Sequence, residues 1–194
     1  MSRIFLAGAT GVLGRQLVPL LVDAGHVVGG MTRSPGKAGL LTQLGAEAVV
    51  VDVFDRRALI DAVVGFAPDI VLNQLTDLPD DVRKIADHAE LNARIRTEGN
   101  GNLIEAVRRS AGPRYLAQSV AWELPAGPDA DAVKELESTV LAEGGVVLAY
   151  GQFYGPGTYH EQQVPEDPRV EIGHAARTTV EHLDVPAGRV VITD

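Results

Sequence analysis

Seven short apolar runs rich in Val, Ile or Leu are spaced along the chain with helix-patterned segments between them, and this alternation limits the fold more than any other feature. The runs are residues 4–7, 27–31, 48–51, 70–72, 115–117, 146–150 and 190–193. Their apolar character is continuous, without polar residues at every second place, as in strands covered on both faces. Between them, Leu13, Leu17, Leu20 and Leu21 recur at helical spacing and stop at Ala24-Gly25. Ala58, Ile60, Ala62 and Val63 form a second such set, and Leu103, Ile104 and Val107 a third that ends at Ala111-Gly112-Pro113. Strand and helix in regular succession predict an α/β chain with a doubly wound parallel sheet, because right-handed crossovers place helices on both faces. Ligands of such sheets bind at the carboxyl ends of the strands. Pro19 interrupts the first helical pattern and is expected to kink it. Residues 124–131 and 155–168, rich in Pro, Gly and acidic side chains, are expected to be the least ordered.

Composition removes several classes of function. The 194 residues suit one domain of ordinary size, which buries roughly 70% of its unfolded surface. With no cysteine there is no disulfide, no thiolate metal site and no cysteine nucleophile. The five histidines lack ligand spacing, His174 and His182 being eight apart, so no metal site is expected. A formal charge of −9 argues against nucleic acid and anionic membranes, both of which attract excess Lys and Arg. The N-terminal apolar run is too short for a signal peptide and no 18-residue apolar stretch follows, so a cytoplasmic location is expected.

The first strand runs straight into Gly8-Ala9-Thr10-Gly11-Val12-Leu13-Gly14, and a helix begins at once. Glycines there allow a tight turn and bring backbone N–H groups close to a pyrophosphate, while the helix N-terminus adds partial positive charge. An ordinary strand-to-helix turn is the alternative. Two residues separate the first two glycines, where the common dinucleotide fingerprint has one.

That spacing resembles the short-chain dehydrogenase/reductase superfamily, in particular its extended and atypical members, the NAD-dependent epimerase/dehydratase-like proteins. Further resemblances cover nearly the whole chain: Thr32-Arg33-Ser34-Pro35, Val51-Asp52-Val53, Glu98-Gly99-Asn100-Gly101-Asn102-Leu103, Gln118-Ser119, and Tyr150-Gly151-Gln152-Phe153-Tyr154-Gly155-Pro156-Gly157. The resemblance implies a Rossmann fold, with residues 1–150 as the nucleotide-binding core and 151–194 as a short substrate-side segment and last strand. It implies cofactor contacts at Gly8, Thr10, Gly11, Val12, Leu13 and Gly14, at Asp52 and Val53 beside the adenine, and at Asn73, Gln74 and Leu75 beside the nicotinamide ribose. Asp52 is equally suited to capping a turn.

Arg33 stands where an NAD-binding chain usually carries an acidic ribose ligand. A guanidinium can grip a 2′-phosphate that a carboxylate would repel, so NADP is the expected cofactor, with NAD as the alternative. Arg33 as a solvated loop residue is the competing reading. The family's hydride-transferring members usually carry a tyrosine four residues before a lysine. Here Lys134 has Ala130 at that place. Lys134 is therefore either the family's lysine without its phenol or an exposed helix lysine paired with Glu135 or Glu137. Ser119 matches the serine that orients a substrate carbonyl, or else caps the end of its strand. Tyr154, on the segment that resembles the nicotinamide-flanking loop, is the candidate replacement proton donor, with a role as a buried aromatic as the alternative. Tyr150 reads as core. His174 resembles part of the segment that closes the substrate pocket, though helix capping or surface placement fits it better.

Three functions fit these residues. The first is an NADP-dependent oxidoreductase or epimerase/dehydratase-like enzyme acting on a small carbonyl or hydroxyl compound. The second is a non-redox isomerase, dehydratase or cyclase on the same fold, and the third an NADP(H)-sensing binding protein. With only 40 residues from Gly155 to Asp194, the substrate pocket is expected to be shallow or completed by a second copy in a homodimer.

Overall fold

The computed structural model describes residues 1–79 and 81–194. Seven strands form one parallel sheet: β1 (Arg3–Ala7), β2 (Val27–Thr32), β3 (Glu47–Val50), β4 (Ile70–Asn73), β5 (Arg114–Val120), β6 (Val146–Tyr150) and, last in the chain, β9 (Gly188–Ile192). Their spatial order is β3-β2-β1-β4-β5-β6-β9, the doubly wound arrangement that the alternating sequence pattern predicts. Each of the seven apolar runs overlaps one of these strands. Two short strands that the sequence pattern did not suggest, β7 (Gln152–Tyr154) and β8 (Arg169–Glu171), pair with each other in parallel beyond the carboxyl end of β6. At three residues each, they are too short for a periodic signal.

The helices are α1 (Val12–Asp23), α2 (Ala38–Gln43), α3 (Arg56–Phe66), α4 (Ala89–Arg94), α5 (Asn100–Arg109), α6 (Pro128–Ala142) and α7 (Ile172–Glu181). A π-turn over Ile95–Gly99 joins α4 to α5. Helix α1 runs on through Pro19, forgoing only the bond to the Arg15 carbonyl. Helix α6 begins earlier than its acidic, proline-containing start suggested. Pro128 suits the first helical position, and Asp129 and Asp131 complement the partial positive charge of the first turn, so residues expected to be loosely ordered open a helix instead.

Burial follows position in the sheet. All of β4 and β6 is buried, whereas the edge strands β3 and β9 keep exposed residues. The core divides into two clusters, one on each face of the sheet. Leu13, Leu17 and Leu21 of α1 pack with Ala175 and Ala176 of α7 against Ile4, Leu6, Leu72 and Leu148. On the other face Leu59 and Val63 of α3, Leu103 of α5, and Leu136 and Val140 of α6 cover Phe5, Val71 and Val147. Each fully buried leucine contributes about 1.5–3 kcal/mol relative to exposure. The sheet thus holds α1 and α6 on opposite sides while both start at its carboxyl edge.

Candidate active site and cofactor crevice

The glycine turn is shaped by backbone contacts that only glycine permits. Gly8 has φ +86°, and a Cβ there would lie 2.6 Å from the Gln74 carbonyl oxygen. A Cβ on Gly14 would lie 2.2 Å from the Gly8 oxygen and 2.8 Å from the Ala9 backbone. Gly11 N–H donates to the Gly8 carbonyl at 3.0 Å, closing the turn. Gly11 then caps α1 with no side-chain hydrogen bond, and no acidic residue stands in the first turn. The amides around Val12, Leu13 and Gly14 therefore have no side-chain acceptor of their own, which suits an anionic ligand. Thr10 is half-buried on the rim of this cradle.

The segment after β4 lies against it. Gln74 N–H donates to the Ala7 carbonyl at 2.9 Å, and Asn73 Oδ1 accepts from Leu75 N–H at 3.1 Å. Gln74 is buried; its Nε2 donates to the Tyr150 hydroxyl at 3.2 Å, while its Oε1 has no partner. Tyr150 is core, as read from sequence, and its hydroxyl also bonds Thr179 of α7 at 2.7 Å. Burial pushes that phenol well above its ordinary range.

Beneath Asn73 runs a buried polar chain that the sequence did not signal. Asn73 Nδ2 donates to the Tyr115 hydroxyl at 3.0 Å, Tyr115 donates to Asn100 Oδ1 at 2.8 Å, and Asn100 Nδ2 donates to Thr139 of α6 at 3.0 Å. Tyr115 starts its strand at the far edge, yet its long ring brings the hydroxyl to the last residue of β4.

At the other end of the crevice, Thr32 closes β2 beside Val51, whose N–H donates to the Thr32 carbonyl. Arg33 follows, its side chain 61% exposed, and Nη2 donates to Asp77 Oδ1 at 3.2 Å. Asp77 is a neighbour that the spacing gave no reason to expect. Asp52 accepts from Phe54 N–H at 2.9 Å, forming the turn that was one of its two readings, and keeps its second oxygen free of that bond. Val53 is buried, and its carbonyl accepts from Asn102. Arg94 stacks over Phe54 at 4.0 Å, adding a flat cationic wall near Asp52.

The residues assigned to chemistry are dispersed. Ser119 is 2% exposed, and its hydroxyl donates to Glu137 of α6 at 2.5 Å. Glu137 in turn accepts from Arg189 Nε, and Arg189 Nη2 donates to the Val120 carbonyl. Lys134 lies exposed on α6 and makes no ion pair among the described residues, with either Glu135 or Glu137; Glu137 is held by Ser119 and Arg189. Ala130 is buried. Tyr154, on β7, donates to Asp194 Oδ2 at 2.7 Å, and the accepting carboxylate holds the phenol above its ordinary pKa. His174 is exposed in the first turn of α7, its N–H donating to the capping Glu171. The Tyr159 hydroxyl donates to the Pro79 carbonyl, so the segments after β4 and β7 meet across the mouth. A hollow of about 250 Å³ lies at the amino end of β5, lined by Pro113, Tyr115 and Glu143, away from this edge.

Comparison with known proteins accords with this geometry. Residues 4–143 match the NAD dependent epimerase/dehydratase family. The chain is 34% identical over 98% of its length to a 3-diazoavenalumate denitrifying reductase of Streptomyces sp, spanning 66% of that protein. It is 31% identical over 73% of its length to the Photosystem II assembly factor Ycf39 of Synechocystis sp. (strain ATCC 27184 / PCC 6803 / Kazusa), covering 41% of that protein. The chain thus spans less than two thirds of the length of either relative. In fold it resembles the UDP-glucose 4-epimerase of Thermus thermophilus solved with NAD, with a TM-score of 0.80 at 18% identity over 98% of this chain and 77% of that one. No helix among the described residues is long and apolar enough to cross a membrane. With the glycine cradle, the sheet order and the match over most of its length in agreement, the chain belongs to the NAD dependent epimerase/dehydratase family.

Proposed function

We propose that the chain is an NADP(H)-dependent oxidoreductase or epimerase-like enzyme acting on a small carbonyl or hydroxyl compound. The observation that carries this reading is the cradle itself: Gly8 and Gly14 packed to the limit against backbone, beside the uncapped start of α1. Gly8, Thr10, Gly11, Val12, Leu13 and Gly14 would hold the pyrophosphate. Asp52 and Val53 would flank the adenine, and Asn73, Gln74 and Leu75 the nicotinamide ribose. The unpartnered Gln74 Oε1 is an acceptor suited to a ribose hydroxyl. Arg33 supports NADP over NAD because it is exposed and cationic at the end of β2, free to exchange Asp77 for a 2′-phosphate. Bound NADPH would supply a hydride to a carbonyl carbon.

The chain must then supply a proton to the carbonyl oxygen. Tyr154 is the proposed donor. Its bond to Asp194 keeps the phenol protonated, and that single O–H would swing from the carboxylate to the carbonyl oxygen as the proton is delivered. Ser119, fixed by Glu137, is proposed to position the end of β5. Lys134, exposed, is assigned no proton transfer. The buried Ala130 favours a second reading, a cofactor-sensing binding protein, which would bind NADPH without oxidising it, whatever carbonyl compound is offered.

Titration with NADPH and NADH, read by emission transferred from Trp122 just past β5, tests the cofactor. NADPH should bind more tightly, and Arg33→Asp should reverse the order, since a charge-assisted contact is worth about 1.5–3 kcal/mol. Equal affinity before and after the change would refute the NADP assignment. With a substrate in hand, Tyr154→Phe should cut turnover roughly 10²–10⁴-fold while leaving NADPH affinity intact. Unchanged turnover would remove Tyr154 from the chemistry.

A further inference from the structure

Arg33 and Asp77 meet from opposite sides of the glycine turn. Ala7, the last residue of β1, is in register with Met31 of β2 on one side and with Asn73 of β4 on the other. Arg33 lies just past the end of β2 and Asp77 a few residues past the end of β4, so both stand beyond the carboxyl edge of the sheet. Two strand spacings, about 9–10 Å, separate β2 from β4. Arg33 Nη2 closes that gap by donating to Asp77 Oδ1 at 3.2 Å. Because β1 runs between β2 and β4, the pair passes over the point where Ala7 enters Gly8 and the cradle begins.

The two ends of the pair differ in freedom. The Asp77 side chain is 15% exposed, and its N–H donates to Oδ1 of the buried Asn92 on α4 at 3.3 Å. Two residues on, the Pro79 carbonyl accepts from the Tyr159 hydroxyl, so this segment is tied on both sides. The backbone beside Arg33 is also fixed, since Ser34 N–H donates to Thr32 Oγ1 at 3.2 Å and Pro35 opens a helical turn. The Arg33 side chain, by contrast, is 61% exposed. The guanidinium is thus a movable arm and the carboxylate a stationary catch. An exposed ion pair is weak enough for a ligand to open, yet favours the closed form in its absence.

We propose that the Arg33–Asp77 pair is a bar across the glycine cradle, which any dinucleotide must open in order to bind. The proposal rests on the cofactor-binding reading above and adds to it an opposing role for Asp77, which holds shut the guanidinium that a 2′-phosphate would take. NADPH replaces the broken contact with its 2′-phosphate, whereas NADH opens the bar and finds no substitute. Opening lowers the affinity for both cofactors alike. Asp77 therefore weakens each without changing their ratio, and Arg33 sets the ratio.

Calorimetric titration of NADPH and NADH into the wild type, Asp77→Asn, Arg33→Met and the double variant tests the bar. Asp77→Asn should tighten both cofactors by roughly two- to sixfold, the inverse of the fraction of time for which an exposed pair leaves the cradle open. Arg33→Met should tighten NADH while weakening NADPH. Charge alone gives the opposite sign for NADH, because removing a cation beside an anionic ligand weakens its binding. In the double variant NADH should gain no more than in the better single variant, since both changes remove one and the same bar. Unchanged NADH affinity in Asp77→Asn, weaker NADH binding in Arg33→Met, or gains that add in the double variant would each overturn the proposal. Should Asp77→Asn fail to fold, Arg33→Met, altered at an exposed side chain, still decides by the sign of its effect on NADH. If Arg33→Met tightened NADPH as it does NADH, the bar would stand and the NADP assignment would fall. Binding of neither cofactor to any of the four proteins would overturn both, since the bar would guard nothing.

Discussion

Gly14→Ala and Gly101→Ala make the same chemical change inside two helices, and the structure gives them opposite signs. Gly101, on α5, has nothing within 4 Å of where its Cβ would point. Alanine there should gain about 0.5–1 kcal/mol from reduced unfolded-state freedom and better helix propensity. Gly14 receives the same intrinsic gain, but its methyl would lie 2.2 Å from the Gly8 oxygen and 2.8 Å from the Ala9 backbone, none of which is a flexible side-chain end. Overpacking of this kind costs about 1–3 kcal/mol. Moving the Gly8 carbonyl also weakens the bond it accepts from Gly11, worth about 1 kcal/mol more. The net expectation is a loss of about 1–3 kcal/mol for Gly14→Ala. For a chain of this size, that lowers the melting midpoint by roughly 2–12 °C, while Gly101→Ala raises it by roughly 1–4 °C. Urea midpoints and NADPH titration on the same samples separate fold from site: Gly14→Ala should bind NADPH at least tenfold more weakly and Gly101→Ala like the wild type. If Gly14→Ala matched Gly101→Ala in stability and kept its affinity, the close-packed cradle would not exist as described.

Lys134→Ala should change turnover less than tenfold, about 1.4 kcal/mol of barrier, because the lysine is exposed and unpaired; a thousandfold loss would restore it to the active site. Tyr150→Phe removes the hydroxyl shared by Gln74 and Thr179 and should lower stability by about 1–3 kcal/mol in denaturant titration. Glu98, Glu105 and Glu143 have carboxyls held below the ordinary range by Arg94, Arg109 and Arg108. With folded values depressed, their contribution is present above the unfolded pKa of about 4.3 and lost as pH falls through the folded values. Urea midpoints should therefore decline with acid below about pH 4.3, and Glu143→Gln should make that decline shallower; an unchanged slope would remove the Arg108–Glu143 pair from the acid response.

The doubly wound sheet was legible because β4 and β6 are buried on both faces and so read as unbroken apolar runs, and because three of the segments between runs carry a helical stripe. The glycine cradle was legible for a related reason: backbone contact at 2.2–2.6 Å admits a single residue type, and that type shows in a single sequence. Long-range side-chain pairing left no such mark. Nothing near Arg33 announces Asp77, 44 residues on, and nothing near Ser119 announces that Glu137 takes its hydroxyl. Lys134 was offered Glu137 as a partner by helical proximity, but Arg189 arrives from β9 and takes it.

The two core clusters, separated by the sheet, make the protein a partition with independent tenants. The turn into α1 is braced from one side, and Ser119 with Glu137 of α6 from the other, with the strands between them as a stiff wall. Damage on one side has little means of crossing, so Gly14→Ala and Ser119→Ala should combine additively in stability to within about 0.3–0.5 kcal/mol. Such insulation lets one half of the molecule drift while the other is retained. The start of α6 can carry an alanine at position 130, and the glycine cradle across the wall keeps its shape.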